Sequence, residues 1–142
     1  MYDIIIIGAG PIGIACAIAA QKNNLSYLII EKGCLVYSLY HYPVNMTFFS
    51  TSEKLEIGDS PFVTTNPKPK RAEALEYYRR VHDKFHLNTH LFETVISCLK
   101  KDGIFNIITS KGAYQATNVI VATGFYDIPM PLNVPGELLS KV

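Results

Sequence analysis

The fold of this chain is decided by residues 2–13, which read Tyr2-Asp3-Ile4-Ile5-Ile6-Ile7-Gly8-Ala9-Gly10-Pro11-Ile12-Gly13. The four isoleucines form an apolar, β-branched run, which is typical of a strand buried on both faces in a parallel sheet. The glycines that follow fit the dinucleotide-binding fingerprint, whose mechanism requires a strand before it and a helix after it. We therefore predict a strand over residues 3–7 and a helix from near Gly10 to about Asn23.

Each glycine of this loop has a separate predicted role. Gly8 allows the tight turn after the strand, Gly10 lets the backbone approach a pyrophosphate, and Gly13 lets the helix pack closely against the strand. The phosphates would then meet free N–H groups at the positive end of the helix dipole. The sequence thus predicts a pyrophosphate-binding loop formed by Gly8, Gly10, Pro11, Ile12 and Gly13.

An acidic residue closes the next apolar run. Residues 26–30 are predicted to form the second parallel strand, and Glu31 follows it, 18 residues beyond Gly13. An acidic side chain at that place can accept hydrogen bonds from both ribose hydroxyls of an adenosine, and it would repel a 2′-phosphate. We therefore assign the ribose to Glu31 and place its neighbours Lys32 and Gly33 in the same cofactor-binding segment.

The middle of the chain combines a long loop with one helix. Residues 33–69 are rich in Tyr, Phe, Ser and Pro, and a loop of that length in a compact domain is usually a binding loop. We expect it to lie over a ligand. Residues 71–85 are predicted to form an amphipathic crossover helix with a basic outer face, followed by a strand over residues 87–91. The predicted buried face of the helix consists of Leu75, Tyr78, His82 and Phe85.

Short apolar runs dominate the last third of the chain. Runs over residues 94–99, 104–109 and 114–117 are separated by glycine-containing turns and predict an antiparallel β-meander. Residues 118–122 are predicted to form a final strand that ends in Ala122-Thr123-Gly124. Because a simple NAD dehydrogenase has no meander there, this arrangement favours FAD over NAD. The expected fold class is α/β, a Rossmann-like FAD-binding domain with a parallel sheet plus an antiparallel β-meander.

A proline-rich tail sets the expected domain boundary. Pro129, Pro131 and Pro135 forbid regular structure beyond the last strand. We therefore predict that residues 1–128 form the FAD-binding domain and that residues 129–142 begin a linker.

Charge and composition limit the partners of the chain. Its 142 residues include 13 Lys and Arg against 12 Asp and Glu, so no broad electrostatic field favours nucleic acid or an anionic membrane surface. A small molecule is the expected partner. No basic leader precedes the first apolar run, which is too short for a signal sequence or a membrane span. Three widely spaced cysteines, an odd number, are typical of a protein in a reducing cytoplasm.

Several further blocks of sequence carry a family resemblance. They are Ile30-Glu31-Lys32-Gly33, Tyr42-Pro43, Thr47-Phe48-Phe49-Ser50, Ser52-Glu53-Lys54-Leu55-Glu56-Ile57-Gly58, Ala74-Leu75-Glu76-Tyr77-Tyr78-Arg79 and Asn133-Val134-Pro135-Gly136-Glu137. Together with the two motifs above, they resemble the thioredoxin reductase-like flavoproteins, and most closely the bacillithiol disulfide reductase branch. The resemblance extends over essentially the whole chain, and these blocks are more specific than the glycine fingerprint.

This resemblance implies an FAD site built from the same blocks. The loop over residues 8–13 would hold the pyrophosphate, Glu31 the ribose, and the Thr94-Val95 backbone the adenine. The remaining residues of the implied cofactor site are Thr47, Phe48 and Phe49, near the isoalloxazine ring, and Ala122, Thr123 and Gly124.

The resemblance also implies an activity. The family uses NADPH and FAD to reduce a low-molecular-weight thiol disulfide. Its members continue past the position of Val142 into a nicotinamide domain and a final segment that completes the FAD site. The NADPH site is therefore expected outside this chain, in a longer enzyme that is a homo-oligomer. Residues 1–142 alone are expected to bind FAD weakly at most, to associate with copies of themselves and to lack disulfide reduction.

The chain departs from the family at Ile12, where relatives often carry a cysteine just before the last glycine of the loop. The resemblance therefore does not imply, for this chain, a mechanism that uses that thiol. Cys34 has no second cysteine four or five residues later, which disfavours glutathione-reductase-type enzymes. Two alternatives stay open. One is a thioredoxin or ferredoxin-thioredoxin reductase-like enzyme with its dithiol in the nicotinamide domain, and the other is a nucleotide-binding module without catalytic activity.

No side chain is an obvious acid, base or nucleophile, so we predict no catalytic residue. Cys16 lies one turn into the first helix, and we expect it to pack as a small apolar side chain rather than to act in redox chemistry. His82, His86 and His90 recur every four residues, which on one continuous helix would align three metal ligands. Because the helix should end before His90, we predict no metal site.

Overall fold

One six-stranded sheet forms the centre of the part of the chain that the computed structural model describes, residues 1–126, 128 and 130–139. The strands are β1 (Tyr2–Ile7), β2 (Tyr27–Ile30), β3 (Thr89–His90), β4 (Val95–Lys101), β5 (Ile104–Thr109) and β6 (Ala113–Val121). The helices are α1 (Pro11–Lys22), α2 (Tyr37–Tyr40), α3 (Ser52–Leu55) and α4 (Arg71–Phe85). The strand order is β3-β2-β1-β6-β5-β4.

The sheet is parallel on one side of β6 and antiparallel on the other. β3, β2, β1 and β6 run parallel, whereas β6, β5 and β4 form an antiparallel meander. α1 connects β1 to β2, and α4 lies on the connection from β2 to β3, as parallel strands require. The predicted fold class, α/β and Rossmann-like with an added meander, is confirmed.

The prediction of separate strands over residues 114–117 and 118–122 is wrong, because residues 114–121 lie in one continuous strand, β6. This strand pairs antiparallel with β5 at its start and parallel with β1 further along. Thr117 and Asn118, whose polarity indicates a break, donate hydrogen bonds to the backbone oxygen of Asp3 at 2.8 and 3.2 Å. Since the sheet satisfies both side chains, the strand continues through them.

Two hydrophobic clusters cover the two faces of the sheet. The larger cluster lies between the sheet and the helices, and its fully buried members include Ile6, Ile14, Ala17 and Ile29. The smaller cluster lies on the opposite face and contains Ile5, Leu28, Ile30, Ile107 and Ala116. Alternate residues of β1 and β2 therefore enter different clusters. This confirms the prediction that the isoleucine run forms a buried parallel strand.

The helix predicted over residues 71–85 is present as α4, but its buried face differs from the predicted one. The buried residues are Ala74, Tyr77, Tyr78 and Val81. Tyr77 lies inside because its ring stacks on Phe62 with centroids 4.1 Å apart and its hydroxyl donates to the backbone oxygen of Ser60 at 2.7 Å. The outer face is mixed rather than basic, since acidic side chains of the same helix pair with its arginines.

The connections differ from prediction in two places. The long loop over residues 33–69 contains α2 and α3, and the strand predicted over residues 87–91 is reduced to β3. β3 is short because His86 ends α4 in the left-handed conformation and Phe92, with φ 55°, turns the chain away. No helix in the described part of the chain has the length and apolar composition needed to cross a membrane.

The tail contains no strand or helix over the described residues 130–139, as its prolines predict. The prediction made for Pro129 falls outside the described residues. The domain boundary between residues 128 and 129 stays a prediction.

Candidate nucleotide-binding site

Three parallel strands end together at one edge of the sheet, where β1 lies between β2 and β6. Ile7 aligns with Ile30 of β2 and with Val121 of β6. The Gly8 N–H donates to the backbone oxygen of Ile30 at 2.8 Å, and the Ala122 N–H donates to that of Ile7 at 2.8 Å. The chain leaves β1 for β2 on one side and reaches β6 on the other. This edge is therefore the switch point at which open α/β sheets bind ligands.

The glycine loop contains two backbone contacts that only glycine permits. Gly8 has φ +109°, and a Cβ there would lie 2.5 Å from the backbone oxygen of Ala122. A Cβ on Gly13 would lie 1.9 Å from the backbone oxygen of Gly8. The tight turn and the close helix packing predicted for these two glycines are both present. The Gly8 contact brings the loop against the Ala-Thr-Gly motif, which the sequence alone does not show.

Gly10 differs from both, because a Cβ built on it meets no described atom within 4 Å. It is the N-cap of α1, and no described side chain caps this helix. Pro11 follows at the start of the first turn, where a residue without an N–H is common. Gly10 therefore faces open space at the positive end of the helix, where backbone N–H groups can bind an anion. A pyrophosphate fits this space, and a side chain at Gly10 would fill it.

A cavity of about 330 Å³ opens in front of Gly10. Its lining brings together the predicted cofactor-binding residues Gly10, Pro11, Ile12, Glu31, Lys32, Phe48, Ala122, Thr123 and Gly124. Thr47 and Phe49 are not part of the lining. Thr47 forms an isolated β-bridge with Lys70, and Phe49 is 89% exposed. Of the three residues assigned to the isoalloxazine ring, Phe48 is therefore the one at the cavity.

Residues of the long loop, of α4 and of the segment after β6 complete the cavity wall, and the sequence alone does not assign them. They are Val36, Tyr37, Ser38, Leu39, Tyr42, Leu55, Tyr78, Phe125 and Tyr126. Tyr42 and Tyr126 meet edge to face with centroids 4.5 Å apart, so the loop after β2 closes against the segment after β6. The aromatic composition of residues 33–69 is the available sequence signal, and this loop does border the cavity.

Glu31 is buried at the border between this cavity and a second one, with 6% of its surface exposed. Its two carboxylate oxygens accept hydrogen bonds from the Ala9 N–H at 2.8 Å and the Gly33 N–H at 2.9 Å. Each oxygen has capacity for a further hydrogen bond, such as one from a ribose hydroxyl. Gly33 itself has no room for a Cβ, which would lie 2.2 Å from the Tyr37 ring. Through its two hydrogen bonds, Glu31 connects the loop before α1 to the loop after β2.

The second cavity, of about 200 Å³, extends from Glu31 to the start of β4. It is lined by Ile7, Gly8, Ile30, Glu31, Lys32, Glu93, Thr94, Val95 and Thr123. The predicted ribose contact and the predicted adenine contact at Val95 thus share one cavity. Glu93 is a further residue of this lining that no sequence pattern indicates, because it lies in the irregular segment between β3 and β4.

Hydrogen bonds favour the ionised form of Glu93. Its side chain is 2% exposed; one oxygen accepts a hydrogen bond from the Thr109 hydroxyl, and the other lies 3.0 Å from Nδ1 of His90. Burial raises the pKa of a carboxyl group, but bonds from Thr109, Tyr114 and His90 outweigh it and hold the pKa of Glu93 below its usual value. A buried negative charge therefore lies behind the second cavity.

The cysteines are absent from the described linings of both cavities. Cys16 is partly buried and packs against the larger hydrophobic cluster, as expected for a small apolar side chain. Burial raises the pKa of the Cys34 thiol, which disfavours a reactive thiolate there. α4 ends at Phe85, before His90, so the three histidines do not share a helix. The described residues contain no cluster of three or more side chains suited to hold a metal ion.

The sequence and the fold both have relatives. Residues 5–142 match the family described as pyridine nucleotide-disulphide oxidoreductase. The chain is 48% identical to bacilliredoxin reductase Bdr from Bacillus subtilis over 139 residues, which cover 97% of this chain and 43% of that protein. It is 32% identical to a thioredoxin reductase from Treponema pallidum, over 96% of this chain and 39% of that protein.

A solved structure agrees with the sequence relatives. Bacillithiol disulfide reductase Bdr from Staphylococcus aureus superposes with a TM-score of 0.90 at 43% identity, over 99% of this chain and 43% of that one. The resemblance to this branch, stated from sequence blocks alone, is confirmed. The chain spans less than half the length of these relatives. By its sequence and its fold, the chain belongs to the pyridine nucleotide-disulphide oxidoreductase family.

Proposed function

We propose that this chain binds FAD at the carboxyl edge of its sheet, as the FAD-binding part of an NADPH-dependent reductase of a low-molecular-weight thiol disulfide of the bacillithiol type. The main support for the proposal is the open space beside Gly10. A side chain at Gly8 or Gly13 would clash with the backbone of the protein itself. At Gly10 the corresponding space contains no described atom and is open to a ligand. Family membership and the identity with the Staphylococcus aureus bacillithiol disulfide reductase support the reaction class.

The two cavities offer consecutive contacts along one dinucleotide. The loop over residues 8–13 and the uncapped end of α1 would hold the pyrophosphate. Glu31 would accept the ribose hydroxyls, and the backbone of Val95 would contact the adenine. Phe48 and the segment from Ala122 to Gly124, on the larger cavity, would lie along the flavin half.

The chain's own contribution is binding, orientation and shielding. When bound, FAD supplies the hydride and electron chemistry. Apolar side chains such as Val36, Leu39 and Phe48 line the larger cavity and would exclude water from it. We assign no acid, base or nucleophile among the described residues. Ile12 offers no thiol at the glycine loop, so these residues do not supply a cysteine to the disulfide there.

We assign residues 1–128 to the FAD-binding domain and residues 129–142 to the start of a linker. The NADPH site is placed in a further part of a longer protein. Two observations support this division. The described residues contain a single glycine-rich βαβ fingerprint, and the chain covers 43% of the Bacillus subtilis relative.

Thioredoxin reduction is the second candidate function, and the identity with the Treponema pallidum thioredoxin reductase favours it. The two candidates differ in the group that would receive electrons from the flavin. The three cysteines of this chain are far apart in sequence and include no Cys-x-x-C. A Cys-x-x-C encoded beyond Val142 would favour thioredoxin, whereas its absence would favour a small disulfide.

The proposed reaction is tested by NADPH oxidation with the longer gene product that contains this chain. FAD is supplied together with either bacillithiol disulfide or oxidised thioredoxin. The proposal expects FAD-dependent oxidation that is faster with bacillithiol disulfide. Faster oxidation with thioredoxin would instead support the second candidate. A protein that holds FAD but oxidises NADPH with neither would contradict the proposed reaction.

A further inference from the structure

Glu93 is a buried carboxylate on the wall of the second cavity. Its side chain is 2% exposed, and it lines the cavity beside Glu31 and Val95. Burying a carboxylate is unfavourable unless hydrogen bonds satisfy its oxygens, and an apolar side chain would avoid the penalty. The presence of a charge here indicates a requirement for specific hydrogen bonds at this point of the wall.

Backbone hydrogen bonds tie the segment around Glu93 to the segment around Glu31. The Glu31 N–H donates to the backbone oxygen of His90 at 2.9 Å, and the Glu93 N–H donates to that of Glu31 at 2.9 Å. The Phe92 N–H donates to the backbone oxygen of Gly33 at 3.1 Å. The predicted ribose and adenine contacts therefore belong to one connected unit.

Hydrogen bonds around the Glu93 side chain connect this unit to β3, β5 and β6. One oxygen accepts the hydroxyl of Thr109, which ends β5, and the other lies 3.0 Å from Nδ1 of His90 in β3. The Tyr114 hydroxyl of β6 lies 3.1 Å from the same nitrogen. Without the carboxylate, Thr109 and His90 would lose their common partner inside the sheet.

Thr94 continues this fixed segment toward β4. Its N–H donates to Oγ of Ser110 at 3.0 Å, and its backbone oxygen accepts the Ser110 N–H at 2.9 Å. Thr94 and Val95 follow Glu93 directly along the cavity wall. The position of Glu93 therefore sets the position of the backbone groups that would contact an adenine in the proposed site.

We infer that Glu93 is a positioning residue for the adenosine half of the dinucleotide. It holds the Thr94-Val95 backbone and Glu31 at a fixed separation, so that adenine and ribose are bound together. This inference rests on the proposed FAD site. Glu93 acts through the residues that it holds in place, since its carboxylate oxygens contact Thr109 and His90.

The test uses ADP, which carries the adenosine and the pyrophosphate without the flavin, and follows the backbone amide signals of the chain by NMR. In the wild type, ADP should shift the signals of Gly13 and Val95. In Glu93→Ala, the Val95 response should be lost while the Gly13 response persists, and ADP should bind about tenfold more weakly. Glu93→Gln should lie between the two, because its amide can accept from Thr109 and donate to His90.

Glu53→Ala is the matched control, because Glu53 is exposed and outside both cavity linings. It should leave the ADP affinity and the Val95 response unchanged. Unaltered ADP affinity in Glu93→Ala would overturn the inference. So would failure of Glu93→Gln to fold in a thermal unfolding scan, since the role of Glu93 would then be structural. A wild-type chain whose Gly13 signal ignores ADP would contradict the proposed FAD site itself, and this inference with it.

Discussion

At Glu31 a single carboxylate joins the loop before α1 to the loop after β2, through the N–H groups of Ala9 and Gly33. Its place at the end of the second strand is enough to predict, from sequence, that it is a ribose ligand. The two backbone bonds are not predictable, because they depend on how both loops fold over the strand end. The same side chain is therefore both a proposed ligand group and part of the framework of the site.

Replacing Glu31 should consequently change two properties. Glu31→Ala should weaken FAD binding by roughly ten- to a hundred-fold, because charge-assisted hydrogen bonds to the ribose are worth about 1.5 to 3 kcal/mol. It should also lower the thermal unfolding midpoint, since two backbone N–H groups lose their acceptor. FAD titration and calorimetry of the longer gene product that contains this chain measure the two effects, with the exposed Glu53→Ala as control. Unchanged flavin affinity would refute the ribose assignment.

The three fingerprint glycines show what a sequence motif can specify. Gly8 and Gly13 are required by backbone oxygens of the protein itself, whereas Gly10 meets no described atom. Glycine is thus required for two different reasons, close packing of the protein's own backbone and open space for a ligand. The strand before the loop and the helix after it make the motif recognisable, but the open side at Gly10 is visible only once the loop is folded.

At the scale of elements, β1, α1, β2 and α4 agree with their predicted spans to within two residues. β1, β2 and α4 have an apolar pattern that matches one secondary structure, whereas α1 is predicted by the glycine fingerprint, which requires a helix after the loop. α2 and α3 are single turns of four residues, which are too short to show a helical period. The buried face of α4 is rotated from prediction by the stacking of Tyr77 on Phe62, a contact between residues from different elements.

The bonds around Glu93 join β3, β5 and β6, and they should make stability depend on acid pH. The pKa of Glu93 is lower in the folded protein than its usual value of 4.5, so its contribution is complete above that value and is lost as the pH falls through the folded pKa. Urea unfolding at neutral pH and at about pH 3 should therefore show a smaller loss of stability for Glu93→Gln than for the wild type. Equal losses in both proteins would contradict this network.

Across the whole molecule, large apolar side chains are exposed on the meander and the tail. They include Ile96, Leu99, Ile108, Val121, Met130, Leu132 and Leu138. Exposed apolar surface of this kind favours association. Residues 1–142 should form concentration-dependent oligomers in sedimentation velocity, and the double change Ile96→Thr with Leu99→Thr should weaken them. A monomer at every accessible concentration would count against this prediction.

The site as a whole combines parts of the chain that are far apart in sequence. The glycine loop, Glu31 and the Ala-Thr-Gly motif lie at the ends of three neighbouring parallel strands, so local motifs are enough to predict them. The aromatic wall is different, because the contact between Tyr42 and Tyr126 requires the loop after β2 to meet the segment after β6. No local sequence pattern predicts this contact between two distant segments.

FAD binding by variants of Gly10 shows whether the loop over residues 8–13 is the pyrophosphate site. Gly10→Val should fold like the wild type, because its Cβ meets no described atom, and should occupy the space of the pyrophosphate. Gly112→Ala is the matched control, since its Cβ would meet nothing closer than 3.8 Å and it lies outside both cavity linings. In the longer gene product that contains this chain, the wild type and Gly112→Ala should bind FAD saturably, whereas Gly10→Val should be folded but colourless. A folded Gly10→Val that binds FAD as tightly as the wild type would contradict the pyrophosphate assignment.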